Sequence, residues 1–409
     1  MTSTCFSSVI HIPADQPTIQ AGINAAHNGD TVLVSPGTYT ENINFNGKAI
    51  AVVSGNGPKS TVINGNHAGP CATFISGESP KSVLRGFTLT DGVGAGAPYY
   101  TQGGGVAIAY SSPTITGNVI VGNSDGNGGG IGSSFGSPVI TYNTIKNNKA
   151  SLGAGIFIGG ASSPGAVVRS NTIESNSTYD YYSGGGIARW AAGSAVLEDN
   201  LIAYNSARYG QGGGMYVVNE ADEAIVQNLI FGNTAGSGSQ VYTGVPQSAT
   251  GFRLVNNTIV STVSGADTAV MADGFNQNAI IANNIIVAAG NEVGLLCNPV
   301  YKYGPPVVEY NDVISPHGVD YGDSCSGFEG TNGNISADPQ FTGTSNFRLK
   351  DGSLAIDAGD HAAPDLPATD FAGNPRIVNG NGGSIAIVDM GAYEFIPVTL
   401  TPKTLNFGL

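Results

Sequence analysis

The chain carries 409 residues, with 29 acidic against 15 basic side chains and a formal net charge of −14. No run of Lys or Arg offers a phosphate backbone an electrostatic footprint, which disfavours nucleic acid as a partner. Aliphatic residues come in bursts broken by Gly, Asn and Ser, never in the ~18 unbroken apolar residues of a membrane helix, so no membrane span is expected. The 41% hydrophobic share recurs at regular intervals. Each burst can then bury against its neighbours, which argues against disorder.

Met1 stands directly before the polar segment TSTCFSS rather than a charged and apolar leader, so the start reads as that of a mature protein. Further on, Ile19, Ile23 and Ala26 follow helical spacing through TIQAGINAAHNGD. Gly29 and Asp30 stop that pattern before the strand from Thr31 to Val34. A short amphipathic helix is expected there.

Self-similarity dominates the middle of the chain. A glycine burst followed by an aliphatic residue recurs at Gly103, Gly128, Gly153, Gly184 and Gly212, in steps of 25, 25, 31 and 28 residues. A second series holds its own phase: Asn118, Asn143, Asn171, Asn200, Asn228, Asn257, Asn284 and Asn311. A third falls five residues later, at Asn123, Asn148, Asn176, Asn205 and Asn233. Each unit therefore reads strand, turn, strand, Asn turn, strand, Asn turn. Glycine density and period-2 alternation, as in Val106-Ala107-Ile108-Ala109, exclude helical repeats. The expected fold is all-β: a right-handed parallel β-helix with three strands per coil, with the helix near Ile19 as its N-terminal cap.

Stacked coils lie ~4.8 Å apart, so equivalent Asn amides can donate from coil to coil and to turn backbone. The Asn series is therefore read as structural. The glycine bursts are read as turns, since none is followed by the helix and Lys of a phosphate loop. Cys5, Cys71, Cys297 and Cys325 show no metal-ligand spacing. Cys297 and Cys325 are the pair a disulfide would join, with buried thiols as the alternative.

The opening IHIPADQPTIQAGINAAHNGDTVLVSPGTYTENI resembles the first coil of secreted proteins of the pectate-lyase-like superfamily. SADPQFTGTSNFRLKDGSLAIDAGD and ATDFAGNPRIVNGNGGSIAIVDMGAYEF resemble the C-terminal signature of the bacterial "choice-of-anchor Q" β-helix group. The resemblance implies a secreted or cell-surface protein and does not specify an activity. Asp370, Arg376, Asp389 and Glu394 match charged positions of that signature and are read as an ion-pair network closing the helix. The organisation expected is an N-terminal segment with cap helix over 1–30, the β-helix over 31–345 and a capping segment over 346–396. Residues 397–409 resemble the first strand of an Ig-like module or a linker.

Insertions on a solenoid project from one edge and mark its working face. Here they precede the glycine bursts and concentrate tyrosine: Tyr99 and Tyr100, then Tyr179, Tyr181 and Tyr182, then Tyr209. In the adjoining strands Ile187 is expected to point inward, and Ala188, Trp190 and Tyr216 outward. The result would be a groove with aromatic walls, and aromatic faces beside charged groups suit a sugar ring. The binding residues expected are Trp190, Tyr209, Tyr181, Tyr182, Tyr216 and Glu220.

Asp125 and Asp180 lie two coils apart, about 10 Å, near the upper limit for the carboxylate pair of an inverting glycosidase. Glu220, Asp222 and Glu223 form a second acidic cluster, for which an exposed turn is the plainer reading. A lyase would instead use a base and cations, for which Arg189, Arg208, Lys149 and Tyr209 are available. Asp180, Asp125, Arg189 and Arg208 are the catalytic candidates. No cofactor or metal is expected: Asp125-Gly126-Asn127 echoes a calcium loop without its bidentate Glu, and the five His residues lack partner spacing. The expected function is binding and cleavage of a polysaccharide or oligosaccharide, by hydrolysis or elimination. A non-catalytic adhesin or spacer is the competing class.

Overall fold

The structure, a computed structural model, describes residues 7–94, 102–160, 165–179, 181–190, 193–218, 223–244, 251–273, 278–298 and 304–397. Across them the chain winds into a right-handed parallel β-helix whose strands form three long parallel sheets of 12, 11 and 11 members. The first sheet runs from Val9–Ile12 to Val307–Glu309, the second from Gly37–Thr40 to Asp312–Ile314, and the third from Ile43–Asn44 to Tyr321–Asp323. Among the described residues no helix is long and apolar enough to cross a membrane.

Most strands of the first two sheets are three residues long, which is enough to point one side chain inward and two outward. Ile115 of Thr114–Thr116 and Ile120 of Val119–Val121 are buried, and their register partners Ile140 and Ile145 repeat the pattern one coil on. β-branched side chains fill the column because a pleated surface fits their restricted rotamers.

Two Asn ladders hold the corners. At the first, Asn118, Asn143, Asn171, Asn200, Asn228, Asn257, Asn284 and Asn311 are all buried. Each Nδ2 donates to Oδ1 of the next Asn, as from Asn143 to Asn171 and from Asn200 to Asn228, both at 3.0 Å. Each Oδ1 also accepts the preceding coil's backbone N–H. Asn334 closes this ladder by accepting from Asn311. At the second corner the run from Asn123 to Asn233 is bonded in the same way, and Gln240 Oε1 accepts from Asn233 where the next Asn would stand. Every amide meets several partners, so no buried polar group of the ladder is stranded.

At the N-terminal end the helix Ile19–Ala25 buries Ile19, Gly22 and Ile23 against Ile12 and Val32. Thr18 caps it by accepting from Ala21 N, and the Glu41 carboxylate accepts from Ile19 N and Gln20 N at 3.0 and 2.9 Å. Cys297 and Cys325 form a disulfide. Cys71 is a buried free thiol, pushed up to about 12 by burial. Cys5 and 398–409, where the Ig-like strand was expected, lie outside the described residues.

Segment 346–396 packs along the side of the coils. Phe347 and Tyr393 join Leu229, Phe231 and Val260 of the second sheet's outer face, while Leu349, Ile356 and Met390 cover Ile285. The outward columns explain this placement. In the earlier coils they read Thr144 and Lys146, then Thr172 and Glu174; from Leu201 onward they turn mostly apolar, with Leu201 and Ala203, Leu229 and Phe231, then Thr258 and Val260. A sheet apolar on both faces needs cover on both. The four charged residues of the signature are all buried in this segment: Arg376 Nε faces Glu394 Oε1 at 3.5 Å, and Asp370 and Asp389 accept from the backbone of Glu394 and Phe395.

Candidate functional site

Between the second and third sheets, four crossings pair in parallel as a short fourth sheet: Lys149–Ala150, Ser177–Thr178, Ser206–Gln211 and Thr234–Ser237. The pairing stacks the insertions of consecutive coils along one edge. The glycine bursts follow at once, and space requires them. A Cβ on Gly185 would lie 2.5 Å from Gly213 O, and one on Gly213 2.5 Å from Ser239 O.

On this edge Tyr181 and Tyr209, from neighbouring coils, stack with ring centroids 5.3 Å apart and planes 27° apart. The Arg208 guanidinium lies over the Tyr209 ring at 4.9 Å. Tyr181 is 79% and Tyr209 49% exposed, and Tyr179 and Tyr182 are exposed as well. Beside them the edge opens into a cleft of about 530 Å³. Its walls are Arg208 and Tyr209 on one side and Val263, Ser264 and Ala266 on the other, with Thr234, Ala235 and Gly236 between. The low floor follows from a short crossing. Gly238 comes five residues after Asn233, whereas Gly212 comes seven after Asn205 and Gly184 eight after Asn176.

Several residues expected in the groove lie elsewhere. Arg189 faces the solenoid interior, in register with Ile158 and Val217. Its Nε donates to Glu223 Oε1 at 2.9 Å, with both side chains buried, so neither Arg189 nor Glu223 faces a ligand. Strand alternation gives the reason: Ala188 and Trp190 point out, so Arg189 between them must point in. Trp190 is 58% exposed, but it sits at the far end of its strand beside Gly159 and Val218 and does not line the cleft. Asp125 ties its own loop to the preceding coil: Oδ2 accepts from Gly103 N at 2.5 Å and Oδ1 from Gly126 N at 2.6 Å. Burial raises its carboxyl from the ordinary value, with those two bonds working against the rise. Asp180, Glu220 and Asp222 lie outside the described residues, as do Tyr99 and Tyr100.

Tyr216 points outward as expected, yet it packs into a layer. Its ring stacks on Tyr242 at 5.4 Å and touches the cluster of Leu152, Phe157 and Ala188. The Tyr242 phenol donates to Asp273 Oδ2, and Asp273 Oδ1 has no hydrogen-bond partner among the described residues. Burial, then the Asp273 bond and charge, push the Tyr242 phenol far above its ordinary value. Neither residue was anticipated. The signal in the sequence is a shared spacing: Tyr216 and Tyr242 each stand four residues after a glycine, Gly212 and Gly238, and hold the same register position, although Gly238-Ser239-Gln240 interrupts the glycine triplets.

The edge thus brings together Tyr181, Arg208 and Tyr209, with Tyr182 beside Tyr181 in sequence. Among the described residues the cleft lining offers hydroxyls, one guanidinium and an aromatic ring, and no Asp, Glu or His. Among them also, no group of three or more His, Cys, Asp or Glu could hold a metal ion.

The sequence matches no protein family and no curated protein. Among solved structures the chain is similar to the crystal structure of pectate lyase Pel9A, at 15% identity and a TM-score of 0.48, with 96% of this chain and 97% of that chain covered.

Proposed function

We propose that the chain is a secreted or cell-surface β-helix protein that binds a polysaccharide or oligosaccharide at its tyrosine edge. The observation that carries this reading is the Tyr181–Tyr209 stack beside the cleft, with Arg208 over the Tyr209 ring and these two residues forming one wall of the cleft. A sugar ring presents apolar C–H faces to aromatic rings and hydroxyls to charged or polar donors. Tyr181 supplies the exposed ring; Arg208, Ser206, Thr234 and Ser264 supply the polar partners.

Cleavage is the second reading, and Asp180 carries it. It directly precedes Tyr181 in the chain and is the carboxylate nearest in sequence to the stacked pair. As general acid or base it would contribute about 10² to 10⁴ in rate.

A panel of neutral and acidic polysaccharides, tested for binding by calorimetry and for products by reducing-end and unsaturated-product assays, separates the two readings. Binding without products supports a binding module. Products that vanish in Asp180→Asn with binding retained support an enzyme. No binding to any member of the panel returns the adhesin or spacer reading to the lead.

A further inference from the structure

The tyrosine edge also has the geometry of a covalent modification site. Among the described residues, three pairs of aromatic rings stack across neighbouring coils: Tyr110 with Phe135, Tyr181 with Tyr209, and Tyr216 with Tyr242. Only two of these pairs consist of two phenols, and they differ in access. Tyr242 is 6% exposed and its hydroxyl is engaged by Asp273, whereas Tyr181 and Tyr209 are exposed.

We propose that Tyr181 and Tyr209 are a site of oxidative coupling, joined as dityrosine by a one-electron oxidant such as a peroxidase using hydrogen peroxide. Each phenol gives one electron and its hydroxyl proton to the oxidant, and the peroxide leaves as two molecules of water. The two phenoxyl radicals form a carbon–carbon bond between positions ortho to their oxygens. The hydrogens displaced at the joined carbons move to the oxygens, restoring both phenols. The cross-linked product therefore has two hydrogens fewer than the starting chain.

The coil repeat favours this pair over random encounters. Ser177–Thr178 and Ser206–Gln211 are hydrogen-bonded neighbours in the fourth sheet, so the two rings are held at contact before any radical forms. Pre-paired groups react at an effective concentration that free partners do not reach. Among the other exposed tyrosines, Tyr110 stacks on Phe135 and Tyr204 meets Phe231 edge-on, while Tyr142, Tyr179 and Tyr182 have no stacked phenol among the described residues. The bond would tie two consecutive insertions together and fix one wall of the cleft.

The test is to treat the dilute, full-length protein with a peroxidase and limiting hydrogen peroxide, then map cross-linked peptides by mass. The expected result is an intramolecular peptide pair joining Tyr181 to Tyr209, two hydrogens short of the sum, with dityrosine fluorescence. Tyr181→Phe and Tyr209→Phe should each remove it, and Tyr182→Phe should retain it. Both Phe variants keep the ring and lose only the phenol, and circular dichroism checks that they fold. Dityrosine that persists in Tyr181→Phe, coupling through Tyr142 or Tyr204 between molecules, or oxidised tyrosines without this bond would overturn the proposal. None of these outcomes depends on whether the cleft binds a saccharide.

Discussion

Arg189 and Glu223 form an ion pair inside the solenoid, Nε to Oε1 at 2.9 Å, at a position where the coils on either side place Ile158 and Val217. The pair is satisfied further by the Gly193 carbonyl, which accepts from Nη2, and by Ala195 N, which donates to the carboxylate. Removing one member leaves the other charged and buried, which costs about 3 to 5 kcal/mol. Arg189→Met should therefore lower stability by that amount in chemical denaturation and leave saccharide affinity unchanged. A loss of affinity with stability intact would return Arg189 to the binding surface.

Asn200 sits mid-ladder. It accepts from Asn171 N and Nδ2, and it donates to Val168 O and to Asn228 Oδ1. Asn200→Ala strands a buried backbone N–H and a carbonyl, each worth about 1 to 3 kcal/mol. A clear fall in the denaturation midpoint is expected, whereas the same substitution at exposed Asn56 should leave it nearly unchanged.

The side-lying C-terminal segment should loosen as pH rises. One guanidinium, Arg376, stands among the buried carboxyls of Asp370, Asp389 and Glu394. Burial raises Asp389 and Glu394 above the ordinary range against the pull of Arg376 and of backbone N–H bonds, with smaller repulsions from Asp357 on Asp389 and from Asp389 and Asp370 on Glu394. Asp312 beside Ala337 is pushed up to about 7, again mainly by burial. The folded chain thus holds protons that the unfolded chain has released above about pH 4. The stabilisation is complete below the unfolded values and is lost as pH climbs through the raised ones. Thermal midpoints should fall from mildly acidic toward alkaline pH, and Glu394→Gln should flatten that slope. A midpoint rising over the same range would contradict the assignment.

The same segment is held by a second apolar cluster, in which Phe347 packs on Phe231 at 5.0 Å. Phe347→Ala should cost about 3 to 5 kcal/mol of its docking. Limited proteolysis should then cut within 338–397 before it cuts the coils.

Period and corner chemistry were legible in the sequence, because Asn143, Asn171 and Asn200 repeat at coil spacing and only a stacked ladder satisfies them. The covering segment could have been read from the same rows: Leu229-Ile230-Phe231 and Ile285-Ile286-Val287 lose the alternation that Thr144-Ile145-Lys146 and Thr172-Ile173-Glu174 keep. The site was legible only in part. Sequence order put Arg189 and Trp190 next to the tyrosine loops, but strand alternation turns the first inward and strand length carries the second to the opposite corner. Asp125 looked catalytic from its coil spacing to Asp180, but its partners are backbone N–H groups that sequence spacing does not reveal.

The most direct test is saccharide affinity across three variants, measured against whichever polysaccharide the wild-type chain binds. Tyr181→Ala and Arg208→Ala should each weaken binding, by about 1 to 3 kcal/mol for a lost aromatic or charged contact. Trp190→Ala, altering a residue outside the cleft, should bind as the wild type does. Binding that survives in the first two variants and disappears in Trp190→Ala would contradict the tyrosine-edge site and move the ligand to the opposite corner of the third sheet.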